Sequence, residues 1–265
     1  MSMKIGGRVS FDRIEDLEKH FKGIDFPIEL ALPWKYRELW LPVENRVSDI
    51  LSFFKNSDIS IITIHATQGK ITDDLFLVWG KKTLKIAKEL GVGCITVHPN
   101  HVKKPRYLYQ VKAIENLKKL SNKTCSFSVE TFNGKNRVLR PMEIVEAGIP
   151  MTLDTAHIRD NQLIKQLIEK YWGNIKTVHL SAKSEKEHHL PIDDFCAEIV
   201  KKLYELNWQG NVILEYLPWH HYRVRSDIKA LNKYLFEGKP LRLLPVSDQY
   251  KSDPNHYGFN EKFFG

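Results

Sequence analysis

The chain has 265 residues, 42% of them hydrophobic and 11% aromatic, and a formal charge of +8. That length and apolar content suit one large domain with a sizeable core, and α/β barrels of this size are commonly undivided. No apolar run reaches the ~18 residues that span a bilayer, and the segment Met1–Arg13 carries no apolar signal-type stretch, so the expectation is a cytoplasmic protein with no membrane partner. The positive charge favours anionic partners such as phosphorylated sugars or nucleic acid, although the Lys-rich stretches Lys81 to Lys88 and Lys112 to Lys119 read as solvated helix faces. Cys94, Cys125 and Cys196 are far apart and form no CxxC pair, so they are expected to be buried, reduced thiols.

In chain order, Met3–Gly6 reads as a short first strand, and Phe11–Phe21 has apolar residues at helical spacing. Pro27–Leu32 is a second strand, stopped by Pro33, and Val43–Phe54 carries the Val47, Ile50, Leu51, Phe54 stripe of an amphipathic helix. Ser60–Ile64 is a third strand ending on His65. A long helix follows from Thr72, a candidate N-cap, to Leu90, with Gly91 as its stop. Cys94–Val97 ends on His98 and leads to a helix over Tyr107–Leu120. Cys125–Val129 ends on Glu130, and Pro141–Gly148 is a short helix with Pro near its start and Gly at its end. The sixth strand ends on Asp154 and precedes a helix over Gln162–Tyr171. Ile175–Val178 ends on His179 before a helix over Ile192–Leu206. Val212–Leu214 ends on Glu215, and Ser226–Phe236 is the last helix.

Eight strand-then-helix units at roughly 30-residue intervals, with near-continuous apolar strands, predict a single-domain (β/α)8 barrel over residues 1–238. An open doubly wound sheet would carry a Gly-rich phosphate loop after an early strand, and Gly6-Gly7 is a poor substitute for one. Residues 239–265 lack periodicity and read as an irregular C-terminal tail; its aromatics Tyr250, Tyr257, Phe259, Phe263 and Phe264 suggest that it covers something apolar.

Strands three to eight end in turn on His65, His98, Glu130, Asp154, His179 and Glu215. In a barrel those ends converge on one face, so side chains remote in sequence become neighbours. Carboxylates and imidazoles sharing a water-poor pocket repel or stay unpaired unless a divalent cation neutralises them, which makes a metal the simplest resolution. His157, Glu187 and His189 lie just beyond strand ends and are further candidate ligands. His20, His101, His220, His221 and His256 read as surface residues, with His220 near enough to the eighth strand end to touch substrate.

These residues resemble the xylose-isomerase-like barrels, a superfamily that includes sugar isomerases and epimerases, dehydratases, and the endonuclease IV group (AP endonuclease family 2). The likeness is carried by Ile95-Thr96-Val97-His98-Pro99, Ser128-Val129-Glu130-Thr131, Leu153-Asp154-Thr155-Ala156-His157, Thr177-Val178-His179-Leu180, His188-His189-Leu190-Pro191 and Ile213-Leu214-Glu215-Tyr216. For the sugar branch the resemblance implies one divalent ion, Zn, Mn or Mg, held by Glu130, Asp154, His179 and Glu215. Glu130 and Glu215 would then be the catalytic pair, moving a proton through an enediolate of a sugar or sugar phosphate. Glu29, Arg159, Lys183 and His220 are candidate substrate contacts. For the endonuclease branch it implies three zinc ions and DNA as partner, with His65, His98 and Glu130 on one ion, Glu130, Asp154, His179 and Glu215 on a second, and His157, Glu187 and His189 on a third. The chain departs from that branch at Glu187, where Asp is usual, and in the segment Ala66-Thr67-Gln68-Gly69, which lacks a DNA wedge; Arg37 is the nearest Arg to the second strand that could serve as one. It departs from the sugar branch at Ile192-Asp193-Asp194, in place of Gly-Glu-Gly. A lyase or dehydratase, and a binding protein that keeps its metal as structure, are the remaining alternatives, since fold does not fix function. Oligomeric state is not readable from the chain.

Overall fold

The computed structural model describes residues 3–11, 17–32, 44–66, 69–103 and 105–243, excepting the side chains of residues 20 and 44–46. Eight parallel strands close into one barrel in sequence order: β1 (Lys4–Ser10), β2 (Ile28–Ala31), β3 (Ile61–His65), β4 (Cys94–Val97), β5 (Ser126–Glu130), β6 (Met151–Asp154), β7 (Ile175–Leu180) and β8 (Asn211–Leu214), with β1 pairing β8. Around it lie α1 (Leu17–Phe21), α2 (Glu44–Lys55), α3 (Asp74–Glu89), α4 (Arg106–Leu120), α5 (Pro141–Glu146), α6 (Asn161–Tyr171), α7 (Asp194–Glu205) and α8 (Val224–Phe236). This is the (β/α)8 barrel that the periodic strand-helix pattern requires.

The strands read as continuous apolar runs because both faces are buried, but their two faces differ in chemistry. Outward positions such as Ile64, Ile95, Phe127, Val129, Leu153 and Val178 meet the helices and are buried. Inward positions, two residues apart, pair a small hydroxyl side chain with a site residue: Thr63 with His65, Thr96 with His98, Ser128 with Glu130, Thr152 with Asp154, and Thr177 with His179. The hydroxyls form a layer below the barrel mouth. Thr152 Oγ1 lies 2.9 Å from Thr96 Oγ1 and 2.6 Å from Ser128 Oγ, and Thr63 Oγ1 donates to the Cys94 carbonyl at 3.1 Å. All three cysteines are buried free thiols.

β1 is longer than expected, running through Arg8 to Ser10, because pairing with β2 carries it past the glycines: Gly7 still pairs both Ile28 and Leu214, while Arg8 to Ser10 pair Glu29 to Ala31 alone. Gly6 and Gly7 are packing residues. A Cβ at Gly7 would stand 2.5 Å from Val224 Cγ1, so its absence lets α8 lie directly on the strand. α3 is preceded by Asp73 as its N-cap, not Thr72, whose hydroxyl instead accepts from Asn100 Nδ2 at 3.3 Å. Gly91 and Gly148 end their segments at positive φ, +68° and +64°. Two turns of 3-10 helix, Trp172–Asn174 and Pro218–Arg223, have no counterpart in the sequence pattern; the second begins at Pro218 and runs directly into α8.

Leu241 and Leu243, within the segment assigned to the tail, pack against the core. Residues 244–265, with the tail aromatics and His256, lie outside the described residues, as do Arg37, Thr67, Gln68, the His20 side chain and residues 12–16 of the first expected helix.

Candidate metal centre

Each strand, or the residue that follows it, contributes one side chain to the barrel mouth: Arg8, Glu29, His65, His98, Glu130, Asp154, His179 and Glu215. Parallel pairing in register places them as lateral neighbours, Arg8 beside Glu29 and Asp154 beside His179. Glu130 is the hub. Its Oε2 lies 2.5 Å from His98 Nε2 and 3.3 Å from His65 Nε2, and its Oε1 lies 3.0 Å from His179 Nδ1 and 3.4 Å from His157 Nδ1. His65 Nδ1 is 2.9 Å from the Ala66 carbonyl, to which it donates, leaving Nε2 as the basic nitrogen turned to Glu130. Asp154 uses Oδ1 to accept the backbone N–H groups of Ala156 and His157, at 2.7 and 2.8 Å, which fixes the tight turn and aims Oδ2 inward. His179 sits between Glu215 Oε2 at 2.9 Å and Glu29 Oε2 at 3.1 Å. His189 adopts the left-handed backbone region, φ 57°, and its Nε2 comes within 3.1 Å of His157 Nε2. A non-glycine residue in that region carries local strain, held here by the bridge between Ala182 and Leu190 and by the Leu217 N–H donating to its carbonyl at 2.9 Å.

Three groups of side chains offer ligand atoms within 4.8 Å of one another: His65, His98 and Glu130; Glu130, Asp154, His179 and Glu215; and Asp154, His157 and His189. A fit to divalent metal rests on the polar atoms themselves. Asp154 Oδ2, Glu215 Oε2, His98 Nε2 and His157 Nδ1 are buried without a hydrogen-bond partner, and all four belong to these groups. They crowd against one another at 2.5–3.8 Å instead, and buried carboxylates and imidazoles packed in this way cost free energy unless a cation takes them. Imidazole and carboxylate together suit zinc or another borderline divalent ion.

The electrostatics agree. Burial lowers the pKa of His98 to about 4, against the pull of Glu130, so it stands neutral and ready to ligate. Burial also opposes charge on His157, but Asp154, Glu130 and Glu215 outweigh it and raise its pKa to about 9. His179 is likewise raised, with burial overcome by Glu29, Glu215 and Glu130. Glu130 and Glu215 are held ionised despite burial, Glu130 by His98 and His179, Glu215 by Arg8 and His179.

Several expected contacts fall elsewhere. Glu187 is exposed, in a turn where its N–H donates to Ser184 Oγ at 3.0 Å, and it joins none of the three groups; Asp154 stands with His157 and His189 instead. The β7–α7 loop closes on itself before a carboxylate there can reach inward. Arg159 is exposed. Lys183 turns its ammonium onto the Thr155 carbonyl at 3.0 Å and onto the Ile158 carbonyl, so it ties down the Asp154 loop. His220, read as a surface residue near substrate, is buried at 1% exposure inside the Pro218–Arg223 turn. Glu29 does reach the site, through His179.

Three residues at the mouth escaped the sequence reading. Arg8 pairs with Glu215. Phe132 stacks on His157, centroids 3.9 Å apart and planes at 24°, and meets His98 edge-on at 5.2 Å. Arg137 lies over the Phe132 ring at 4.1 Å and donates to the Pro99 carbonyl at 3.0 Å. Their signal was position alone: Arg8 continues the inward period of β1, and Phe132 is two residues beyond Glu130.

Residues 21–234 match the family described as xylose isomerase-like TIM barrel. The chain belongs to that family. Within the xylose isomerase-like fold, solved structures similar to this chain include a D-tagatose 3-epimerase-like protein (16% identity, TM-score 0.68, covering 89% of this chain and 99% of that one). Endonuclease IV from Thermus thermophilus (14% identity, TM-score 0.60, 88% and 99%) and an IOLI protein with a binding zinc atom (15%, 0.60, 89% and 99%) are similar too. Comparison with curated proteins gives no match. Among the described residues, no helix is long and apolar enough to cross a membrane.

Proposed function

We propose that the barrel mouth is the active site of a divalent-metal-dependent isomerase or epimerase acting on a sugar or sugar phosphate. The observation that carries this reading is the placing of two ionised glutamates, Glu130 and Glu215, in one group with Asp154 and His179, with the Glu215 side chain 13% exposed and Glu130 fully buried. Glu130, Asp154, His179 and Glu215 would hold the ion, with His65, His98, His157 and His189 available for further ions. Bound there, the metal supplies polarisation of adjacent carbonyl and hydroxyl oxygens.

Glu215, the glutamate open to the mouth, takes the proton from the carbon beside the substrate carbonyl. The electron pair enters the enediolate, and the hydroxyl proton crosses between its two oxygens. Glu215 then returns its proton to the neighbouring carbon. Glu130, held ionised among four imidazoles, is less free to deliver a proton to the opposite face, which favours isomerisation by one base over two-base epimerisation.

The test is solvent exchange. Metal-loaded protein incubated in D2O with a panel of ketoses, aldoses and their phosphates should place deuterium beside the carbonyl of one of them. Glu215→Gln should lower that rate by about 10²–10⁴-fold while the circular dichroism and melting temperature of the metal-free protein are kept. Exchange unchanged in Glu215→Gln removes the assigned role.

A second reading, zinc-dependent hydrolysis of DNA at abasic sites, is favoured by the presence of three ligand groups. The exposure of Glu187 speaks against it, since one expected ligand is missing from the third. Elemental analysis separates the two: about one ion per chain supports the sugar reading, and three zinc ions with cleavage of an abasic duplex support the other.

A further inference from the structure

We propose that Arg8 is the anchor for an oxyanion on the substrate, so that the site takes a sugar acid or a sugar phosphate in preference to a neutral sugar. This rests on the isomerase reading and narrows its substrate class. Arg8 stands in the same lateral layer as Glu29 and Glu215, because β1 pairs in register with β2 and runs beside β8. One of its terminal nitrogens, Nη1, pairs with Glu215 Oε1, while its Nε lies 4.0 Å from Glu29 Oε1, beyond hydrogen-bond reach. Among the described residues no partner is assigned to Nη2, and the side chain is 21% exposed at the mouth. A guanidinium held at Nη1 leaves the Nη2 N–H groups to donate to carboxylate or phosphate oxygens.

Among the described residues, the other Lys and Arg side chains near the mouth are engaged elsewhere or turned to solvent. Lys183 is turned onto backbone carbonyls, Arg137 is held by Pro99 and the Phe132 ring, and Arg159 is exposed. Arg8 alone among them is both anchored and open to the mouth. A guanidinium touching Glu215 also draws on the negative charge of a candidate metal ligand, which a merely structural donor such as Gln would not do.

The test uses small probes on zinc-loaded protein by calorimetry: glycolate for a carboxylate, glycerol 2-phosphate for a phosphate, and glycerol as the neutral control. The wild type should bind at least one anionic probe tighter than glycerol by about tenfold or more, and whichever is tighter identifies the source. Arg8→Gln should lose most of that preference with zinc content per chain unchanged. Arg8→Lys, which keeps the charge but loses the fork, should fall between and guards against a folding failure in the Gln variant. Equal binding of glycerol and both anions by the wild type, or an anion preference kept in Arg8→Gln, overturns the proposal. Deuterium exchange into neutral sugars without anion preference would sink this assignment alone, whereas Arg8-dependent anion binding with no exchange into any sugar would sink the isomerase reading alone.

Discussion

Thr152 shows how much of the site depends on residues that never meet a ligand. Its hydroxyl is shared by Thr96 and Ser128 in a fully buried layer directly under the candidate metal ligands. Thr152→Val keeps shape and removes the common partner of two hydroxyls, so it should cost about 1–3 kcal/mol in denaturant unfolding; a loss near zero would mean that the layer re-pairs. His157 yields a second expectation. With its pKa raised to about 9 by the surrounding carboxylates against burial, it carries a proton at neutral pH that an incoming ion must displace. Metal uptake should therefore release protons, and apparent affinity should climb as pH rises from neutrality towards about 9. Calorimetry at neutral pH in buffers of different ionisation enthalpy checks this, and identical heats would refute it.

At the scale of elements, α4 and α5 are joined by a clip in which Glu143 accepts from Arg106 through both oxygens, at 2.7 and 2.6 Å, and from Arg140 at 2.6 Å. Burial opposes the charge, but the two guanidinium groups and the Arg140 N–H overcome it and hold Glu143 at about 2, against 4.5 for a free glutamate. A folded-state pKa below the unfolded one stabilises above the unfolded value. The melting-temperature gap between wild type and Glu143→Gln should be full above 4.5 and vanish as pH falls towards 2. Partial exposure limits the effect to roughly 1 kcal/mol. A different constraint joins α8 to β1. Gly7→Ala would push a methyl into Val224, so the single variant should lose about 1–3 kcal/mol, and Val224→Ala should recover part of that loss in the double variant. Additive losses in the cycle would show that the two residues do not meet.

For the whole molecule, closure of the barrel is what gathers the ligands. Four carboxylates and five imidazoles from separate strands and loops meet in one small volume, and an ion held by Glu130, Asp154, His179 and Glu215 would link the ends of β5 to β8. Zinc should raise the melting temperature in a concentration-dependent way, and a chelator should reverse it, because ligand that binds only the folded state stabilises by mass action. A melting temperature indifferent to both would argue against metal at this site.

What the chain determined unaided was the fold and the list of strand-end candidates for the site. Strand pattern, helix stripes and turn residues are local signals, and a regular alternation of eight units admits one closure, so His65, His98, Glu130, Asp154, His179 and Glu215 were legible from where each strand stops. The tertiary structure decided which of the outlying residues belong. Glu187 and Arg159 leave the site because loop paths depend on distant packing, and Lys183 is spent on carbonyls that only the folded turn brings within reach. Arg8 enters because pairing with β2, about 20 residues away along the chain, extends β1 beyond the glycines that also meet β8. Such pairing leaves no periodic trace in the seven residues of the strand itself. A side chain's direction at a strand end is set by register with its neighbours, and register exists only once the barrel has closed.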